Sequence, residues 1–74
     1  MERLFIITGA DGHLGGTLIR LLRRRKAMVR GLVLPGHMPP VGDGVTYFQG
    51  DVCQPESLEP LFQDIPAGTW VCLI

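Results

Sequence analysis

The sequence has little cysteine and no pattern that would bind zinc. Its two cysteines, Cys53 and Cys72, are far apart, and the chain contains no C-x-x-C pair or histidine at metal-ligand spacing. Because structural zinc sites need clustered cysteine and histidine ligands, this spacing argues against a metal site. Two separate thiols in a chain without a secretory signal also indicate a reducing compartment. We therefore expect a cytoplasmic protein whose cysteines are structural.

An excess of either charge is also lacking. Seven Lys and Arg residues balance seven Asp and Glu residues, so nothing favours nucleic acid or an anionic membrane surface as a partner. The basic stretch "RLLRRRK" at residues 20–26 is typical of a solvated helix end, because cations complement the helix dipole there.

Long apolar runs are missing as well. The first run, "LFII" at residues 4–7, is too short for a signal peptide, and no segment approaches the length that crosses a membrane. We expect no membrane association.

What the chain does have is enough apolar sequence for a core. Hydrophobic residues make up 46% of its 74 residues, and the mean hydropathy of +0.25 argues against disorder. Residues 1–74 are expected to form a single, partial domain, since the chain ends on the apolar run "TWVCLI". A strand edge and one helix layer would then lie uncovered, and we expect self-association.

Apolar periodicity predicts alternating strands and helices. Strands are predicted at 4–7, 28–34, 45–49 and 70–74. A helix is predicted from His13 to about Lys26, with leucines 14, 18, 21 and 22 on its apolar face. Residues 35–44, rich in proline and glycine, predict a loop. A second helix is predicted from Pro55 to about Ile65, kinked or delayed by Pro60.

This order predicts the fold class. Strand, helix, strand, loop, strand, helix and strand in succession are typical of an α/β fold in which right-handed crossovers build a parallel sheet. We expect the N-terminal half of a doubly wound sheet.

The stretch "TGADGHLGG" at residues 8–16 lies at the first turn from strand to helix, where open α/β sheets bind ligands. Gly9 would let the chain turn, Gly12 would let a phosphate approach the backbone, and Gly15 would let the helix pack closely. The N–H groups of His13 and Leu14 would then point at the phosphate. A P-loop is excluded because no Gly-Lys-Ser/Thr follows. A glycine-rich turn without a ligand stays open as the alternative.

The same stretch resembles the T-G-x-x-G-x-x-G signature of the extended short-chain dehydrogenase/reductases, the NAD-dependent epimerase/dehydratase family. "FQGDVCQPESL" resembles the segment that follows the third strand of that family, and "VRGLVLPG" resembles the second strand of its dihydroflavonol-reductase-like members. The resemblance spans residues 4–74 and implies a Rossmann domain that binds NAD or NADP.

The resemblance implies roles for individual positions. Gly9, Gly12, His13, Leu14 and Gly15 would hold the pyrophosphate, while Asp51 and Val52, in segment 50–55, would contact the adenine.

Asp51 has an alternative role as a turn residue or helix-leading cap. The positions that usually distinguish NAD from NADP are Val33 and Leu34, and neither is charged. Leu34 would therefore contact the cofactor without indicating which one binds. Arg30 or His37 could supply a positive group instead.

The resemblance further implies hydride transfer on a sugar nucleotide or another carbonyl or hydroxyl substrate. The catalytic Ser/Thr and Tyr-x-x-x-Lys of the family are expected beyond Ile74, in a longer parent that also binds the substrate. Tyr47 has Asp51 instead of lysine four residues on, so we expect it on a sheet face. Two alternatives stay open, a non-catalytic NAD(P) sensor and an inactive truncated remnant.

Overall fold

The computed structural model describes residues 3–39 and 44–74. Within these ranges the chain forms an α/β fold with an all-parallel, four-stranded sheet, so the predicted fold class is confirmed at this level. The elements are β1 (Arg3–Thr8), α1 (His13–Arg24), β2 (Met28–Val33), β3 (Thr46–Gln49), a 3-10 helix (Pro55–Phe62) and β4 (Trp70–Leu73). Residues 40–43 of the predicted loop lie outside the described ranges. None of the helices in these ranges is both long enough and apolar enough to span a membrane.

The strands are arranged in the order β3-β2-β1-β4. Ile6 of β1 is aligned with Arg30 on one side and with Leu73 on the other, so β1 is central and β4 lies at an edge. The chain therefore steps outward from β1 to β3 and then crosses back to the other side of β1. Because all strands are parallel, the segments that follow β1, β2 and β3 meet at the carboxyl edge of the sheet.

The sheet has an apolar core on each face. Alternate side chains of a strand point to opposite faces, and β1 accordingly contributes to both cores, as predicted for a strand buried on both sides. The core beneath α1 contains Ile7, Ala10, Ile19, Val29 and Val33. The core beneath the 3-10 helix contains Leu4, Ile6, Leu32 and Leu61.

The predicted apolar face of α1 is partly wrong. Leu14 is 80% exposed and Leu21 is 51% exposed, whereas Gly15 and Ile19 are the buried residues of the helix. The physical reason is the glycine: a Cβ on Gly15 would lie 2.3 Å from the carbonyl oxygen of Gly9. The helix therefore approaches the sheet along its glycine side. Leu14 and Leu21 are turned away, whereas Leu18 and Leu22 pack against the core as predicted.

Both helices also end earlier than predicted. α1 ends at Arg24 instead of about Lys26, because Lys26 adopts a left-handed conformation with a φ of 59° and its N–H donates to the carbonyl of Arg23. The second helix is a 3-10 helix instead of an α-helix. Pro60 lies inside it and removes an N–H that an α-helix would need. Leu61 is nevertheless fully buried.

Two neighbouring glycines of α1 should respond in opposite ways to alanine. Gly15→Ala forces a methyl group onto the Gly9 backbone and should destabilise the fold by about 2 kcal/mol or more. Gly16→Ala meets its nearest neighbour, the Arg20 side chain, at 3.7 Å, so it should stabilise the fold by roughly 0.5–1 kcal/mol. Urea denaturation followed by circular dichroism measures both values. Equal effects of the two substitutions would contradict the close approach of the helix.

The uncovered strand edge should make the chain self-associate. Trp70 and Leu73 of β4 are 61% and 62% exposed, and an exposed apolar edge strand offers its backbone for pairing with another chain. Sedimentation velocity should show a concentration-dependent increase in mass, and Leu73→Lys should reduce it. Met38→Lys is the matched control, because Met38 is 88% exposed but lies in the loop after β2. A wild-type chain that stays monomeric at high concentration would refute this expectation.

Candidate functional site

The turn between β1 and α1 is closed by backbone hydrogen bonds. Gly9 has a φ of 60°, a conformation that favours glycine, so it performs the turn that was predicted for it. The N–H of Gly12 donates to the carbonyl of Gly9 at 2.9 Å, and the N–H of Ala10 donates to the carbonyl of Leu32 at 3.0 Å. The second bond attaches the turn to β2, so the glycine loop is fixed at the carboxyl edge of the sheet.

The first turn of α1 presents backbone N–H groups at this edge. Gly12 is the N-cap, no side chain caps the helix, and its first turn holds no acidic residue. The first main-chain bond of the helix joins the N–H of Gly16 to the carbonyl of Gly12 at 2.9 Å. The N–H groups of His13, Leu14 and Gly15 precede that bond and, by helix geometry, have no carbonyl one turn back within the helix. Together with the positive end of the helix dipole, they can bind an anion.

Two cavities border the glycine loop, and Thr8 and Gly9 line both. One, of about 420 Å³, is lined by Ile7, Thr8, Gly9, Gly12, His13, Leu14, Gly15, Leu18 and Ile74. The other, of about 250 Å³, is lined by Thr8, Gly9, Asp11, Leu32, Val33, Leu34, Gly50 and Val52. Seven of the eight predicted cofactor-binding residues therefore line one cavity or the other. Asp51 is the exception.

Asp51 takes part in a turn. The N–H of Cys53 donates to its Oδ1 at 2.9 Å, and its own N–H donates to the Oγ of Ser57 at 3.0 Å. The Ser57 hydroxyl in turn lies 2.7 Å from the carbonyl oxygen of Gln54. This geometry favours the turn-residue alternative for Asp51. Its neighbour Val52 is 60% exposed and faces the smaller cavity.

A side-chain hydrogen bond that the sequence did not predict joins the glycine loop to the loop after β2. The Nδ1 of His37 lies 2.6 Å from the Oδ2 of Asp11. The hydrogen bond from His37 lowers the pKa of the Asp11 carboxyl below its ordinary value. The two residues are 26 positions apart, so no motif spacing could have brought them together. Asp11 is thereby added to the candidate site, beside the smaller cavity.

Arg30 does not lie at this edge. Its Nη1 donates to the carbonyl oxygens of Leu61 and Gln63, both at 2.7 Å, and its guanidinium lies 5.8 Å from the centre of the Phe48 ring. The side chain therefore fastens the end of the 3-10 helix to the sheet. The alternative that Arg30 supplies a positive group to a cofactor is not supported.

Tyr47 lies on the α1 face of the sheet, as expected, where it packs against the α1-side core. A Cβ on Gly31 would lie 2.6 Å from its ring. Tyr47 also borders a groove of about 530 Å³ beside α1, and this groove contains none of the predicted site residues.

Within residues 3–39 and 44–74, no group of three His, Cys, Asp or Glu side chains is arranged to hold a metal ion. Comparison with protein-family models finds no match for this chain, and comparison with curated proteins finds none either.

The pairing of Asp11 with His37 predicts a pH effect. Because the pKa of Asp11 is lowered in the folded chain, its contribution to stability is fully present above the unfolded-state pKa of about 4 and is lost as the pH falls through the folded-state pKa. Carboxyl NMR titration of His37→Ala should show the pKa of Asp11 rising toward its ordinary value. His13→Ala, which removes the other histidine, should leave that pKa unchanged. A low pKa that persists without His37 would contradict the assigned cause.

Proposed function

We propose that this chain binds a dinucleotide, NAD or NADP, as the first half of a Rossmann domain. The observation that carries the proposal is the position of the glycine loop. It lies at the carboxyl edge of a parallel sheet, between a central strand and the amino end of a helix. Phosphate groups bind at this place in open α/β sheets, because the helix N–H groups and dipole favour negative charge.

The strand order supports the same proposal. The order β3-β2-β1-β4 equals the first part of the order 3-2-1-4-5-6 of dinucleotide-binding domains. In that arrangement the strands from β1 to β3 are added on one side of β1, and β4 is added on its other side. A crevice opens at this point above the carboxyl end of β1. Gly9 follows β1 directly and borders both cavities.

We assign the two cavities to two parts of the cofactor. The pyrophosphate would accept hydrogen bonds from the N–H groups of His13 and Leu14, in the cavity of about 420 Å³. The adenosine would occupy the cavity of about 250 Å³. The side chains of Leu34 and Val52 would contact the adenine there, since both are exposed and apolar.

The glycines explain why this loop accepts a phosphate. Gly12 has a φ of −81°, which any residue can adopt, so its lack of a side chain is not required by the backbone conformation. A Cβ there would lie 3.2 Å from the carbonyl oxygen of Gly9, at the N-cap of the helix. Because glycine has no Cβ, an anion could approach the backbone directly at this position.

The reaction that we propose for a protein with this domain is hydride transfer between nicotinamide and a sugar nucleotide or another carbonyl or hydroxyl substrate. This part of the proposal is supported by the resemblance to the extended short-chain dehydrogenase/reductases. In this chain the residues of the two cavities would bind and orient the cofactor.

Titration with NAD and with NADP tests the binding proposal. Wild-type chain should bind at least one of them, and Gly12→Val should weaken binding by about tenfold or more, because the side chain blocks the phosphate position. Gly16→Ala is the matched control: it changes a glycine of the same helix, has room for its methyl group and should leave affinity unchanged. Calorimetry measures the affinities, and circular dichroism checks that each variant is folded.

Unchanged affinity in a folded Gly12→Val variant would refute the assigned role of the loop. A wild-type chain that binds neither dinucleotide would refute the proposed function.

A further inference from the structure

We propose that the groove beside α1 binds an amphipathic organic anion, a molecule with an apolar body and one anionic head group such as a carboxylate. The groove has a volume of about 530 Å³, and sites for small ligands usually measure roughly 300–1,000 Å³. It contains none of the residues assigned above to the dinucleotide. The inference is therefore independent of the proposed function and concerns a second ligand.

The groove is a gap in the helix layer on one face of the sheet. Both faces of an all-parallel sheet are normally covered by helices, and α1 packs over β1 and β2. In the described part of the chain, the connection from β2 to β3 contains no helix. Tyr47 of β3 is therefore only half-buried on this face. On the other side of the groove, Gly16 of α1 contributes no side chain.

The inner part of the groove is apolar. Ala10 and Ile19 line it, and both are buried residues of the α1-side core. The Tyr47 ring lies beside them, since a Cβ on Gly31 would lie 2.6 Å from that ring and 2.9 Å from the Cβ of Ala10. A hydrocarbon or aromatic body in this part of the groove would be removed from water, which favours binding.

The outer part of the groove is positively charged. Arg20, Arg23 and Arg24 line it, and their spacing of three and four residues places them on one side of α1. Arg20 and Arg24 are exposed. No Asp or Glu among the described residues lines the groove, so the charge of this lining is entirely positive. Apolar and basic parts side by side fit a ligand that is apolar at one end and negatively charged at the other.

The arginines keep donors for an anionic head group. Arg20 donates to the Oγ1 of Thr17 at 3.2 Å, and Arg23 donates to the carbonyl oxygen of Ala27 at 2.9 Å. A guanidinium has five N–H donors, so these contacts hold the side chains along the helix without using all of their donors. A carboxylate near Arg20 and Arg24, which are one helical turn apart, would accept charge-assisted hydrogen bonds from them.

Titration with octanoate tests the inference, because octanoate combines a carboxylate with an apolar chain. The full 74-residue chain should bind octanoate. Octyltrimethylammonium, which has the opposite charge, and acetate, which lacks the apolar chain, should bind about tenfold more weakly or worse. Calorimetry measures the affinities. Changes in the amide NMR shifts should place the octanoate at Ala10, Ile19 and Tyr47.

Arg24→Gln and Arg25→Gln form a matched pair of variants. Both remove an exposed arginine at the end of α1, but only Arg24 lines the groove. Arg24→Gln should weaken octanoate binding about threefold to fivefold, and Arg25→Gln should leave it unchanged. Circular dichroism checks that both variants are folded.

Three results would overturn the inference. The first is equal affinity for octanoate and octyltrimethylammonium, and the second is equal weakening by the two substitutions. The third comes from vesicles of phosphatidylglycerol, because Arg3, Arg25 and Lys26 line a separate cavity near the end of α1 and extend the basic surface. Binding to these vesicles without binding to free octanoate would assign the arginines to a membrane surface instead.

Discussion

The contact between Gly15 and the carbonyl group of Gly9 is the constraint on which the rest of the structure depends. A Cβ at Gly15 would lie 2.3 Å from that oxygen and 3.2 Å from the Cα of Ala10, so only glycine fits. The contact brings the first turn of α1 directly over the turn that follows β1. It thereby determines which side of α1 meets the sheet, and it places the amino end of the helix at the carboxyl edge.

Backbone hydrogen bonds then assemble that edge. The N–H of Ala10 donates to Leu32 at the end of β2, and the N–H of Gly50 donates to Val33, which joins the segment after β3 to the same place. The Ser57 hydroxyl accepts a hydrogen bond from the N–H of Asp51 and lies 3.1 Å from its carbonyl oxygen, which holds the turn that follows β3. The two cavities at this edge are bordered mainly by glycine and apolar side chains. Asp11 is one of the few polar side chains at this edge.

The sequence predicted those features that depend on local pattern. Short apolar runs identified the strands, and the glycine spacing identified the loop, because both signals lie within a few neighbouring residues. It could not predict the burial of α1 correctly, since Leu14 belongs to the apolar periodicity but is turned away by the approach at Gly15. Nor could it predict the partnership of Asp11 with His37, which depends on two loops meeting at the sheet edge. Pro60 did indicate a disturbed helix, but not that the segment would be a 3-10 helix.

Two glycines lower the intrinsic stability of α1, the helix that follows the glycine loop. Gly15 and Gly16 lie within it, and the intrinsic helix propensity of glycine is roughly 0.5–1 kcal/mol less favourable than that of alanine. The close contact at Gly15 requires this loss, because any side chain would separate the helix from the turn. The fold must offset it through the two cores, where Ile6, Ile7 and Leu61 are fully buried. In a chain of 74 residues the core is small, so a ligand that binds the folded glycine loop would add stability where the fold gives some up.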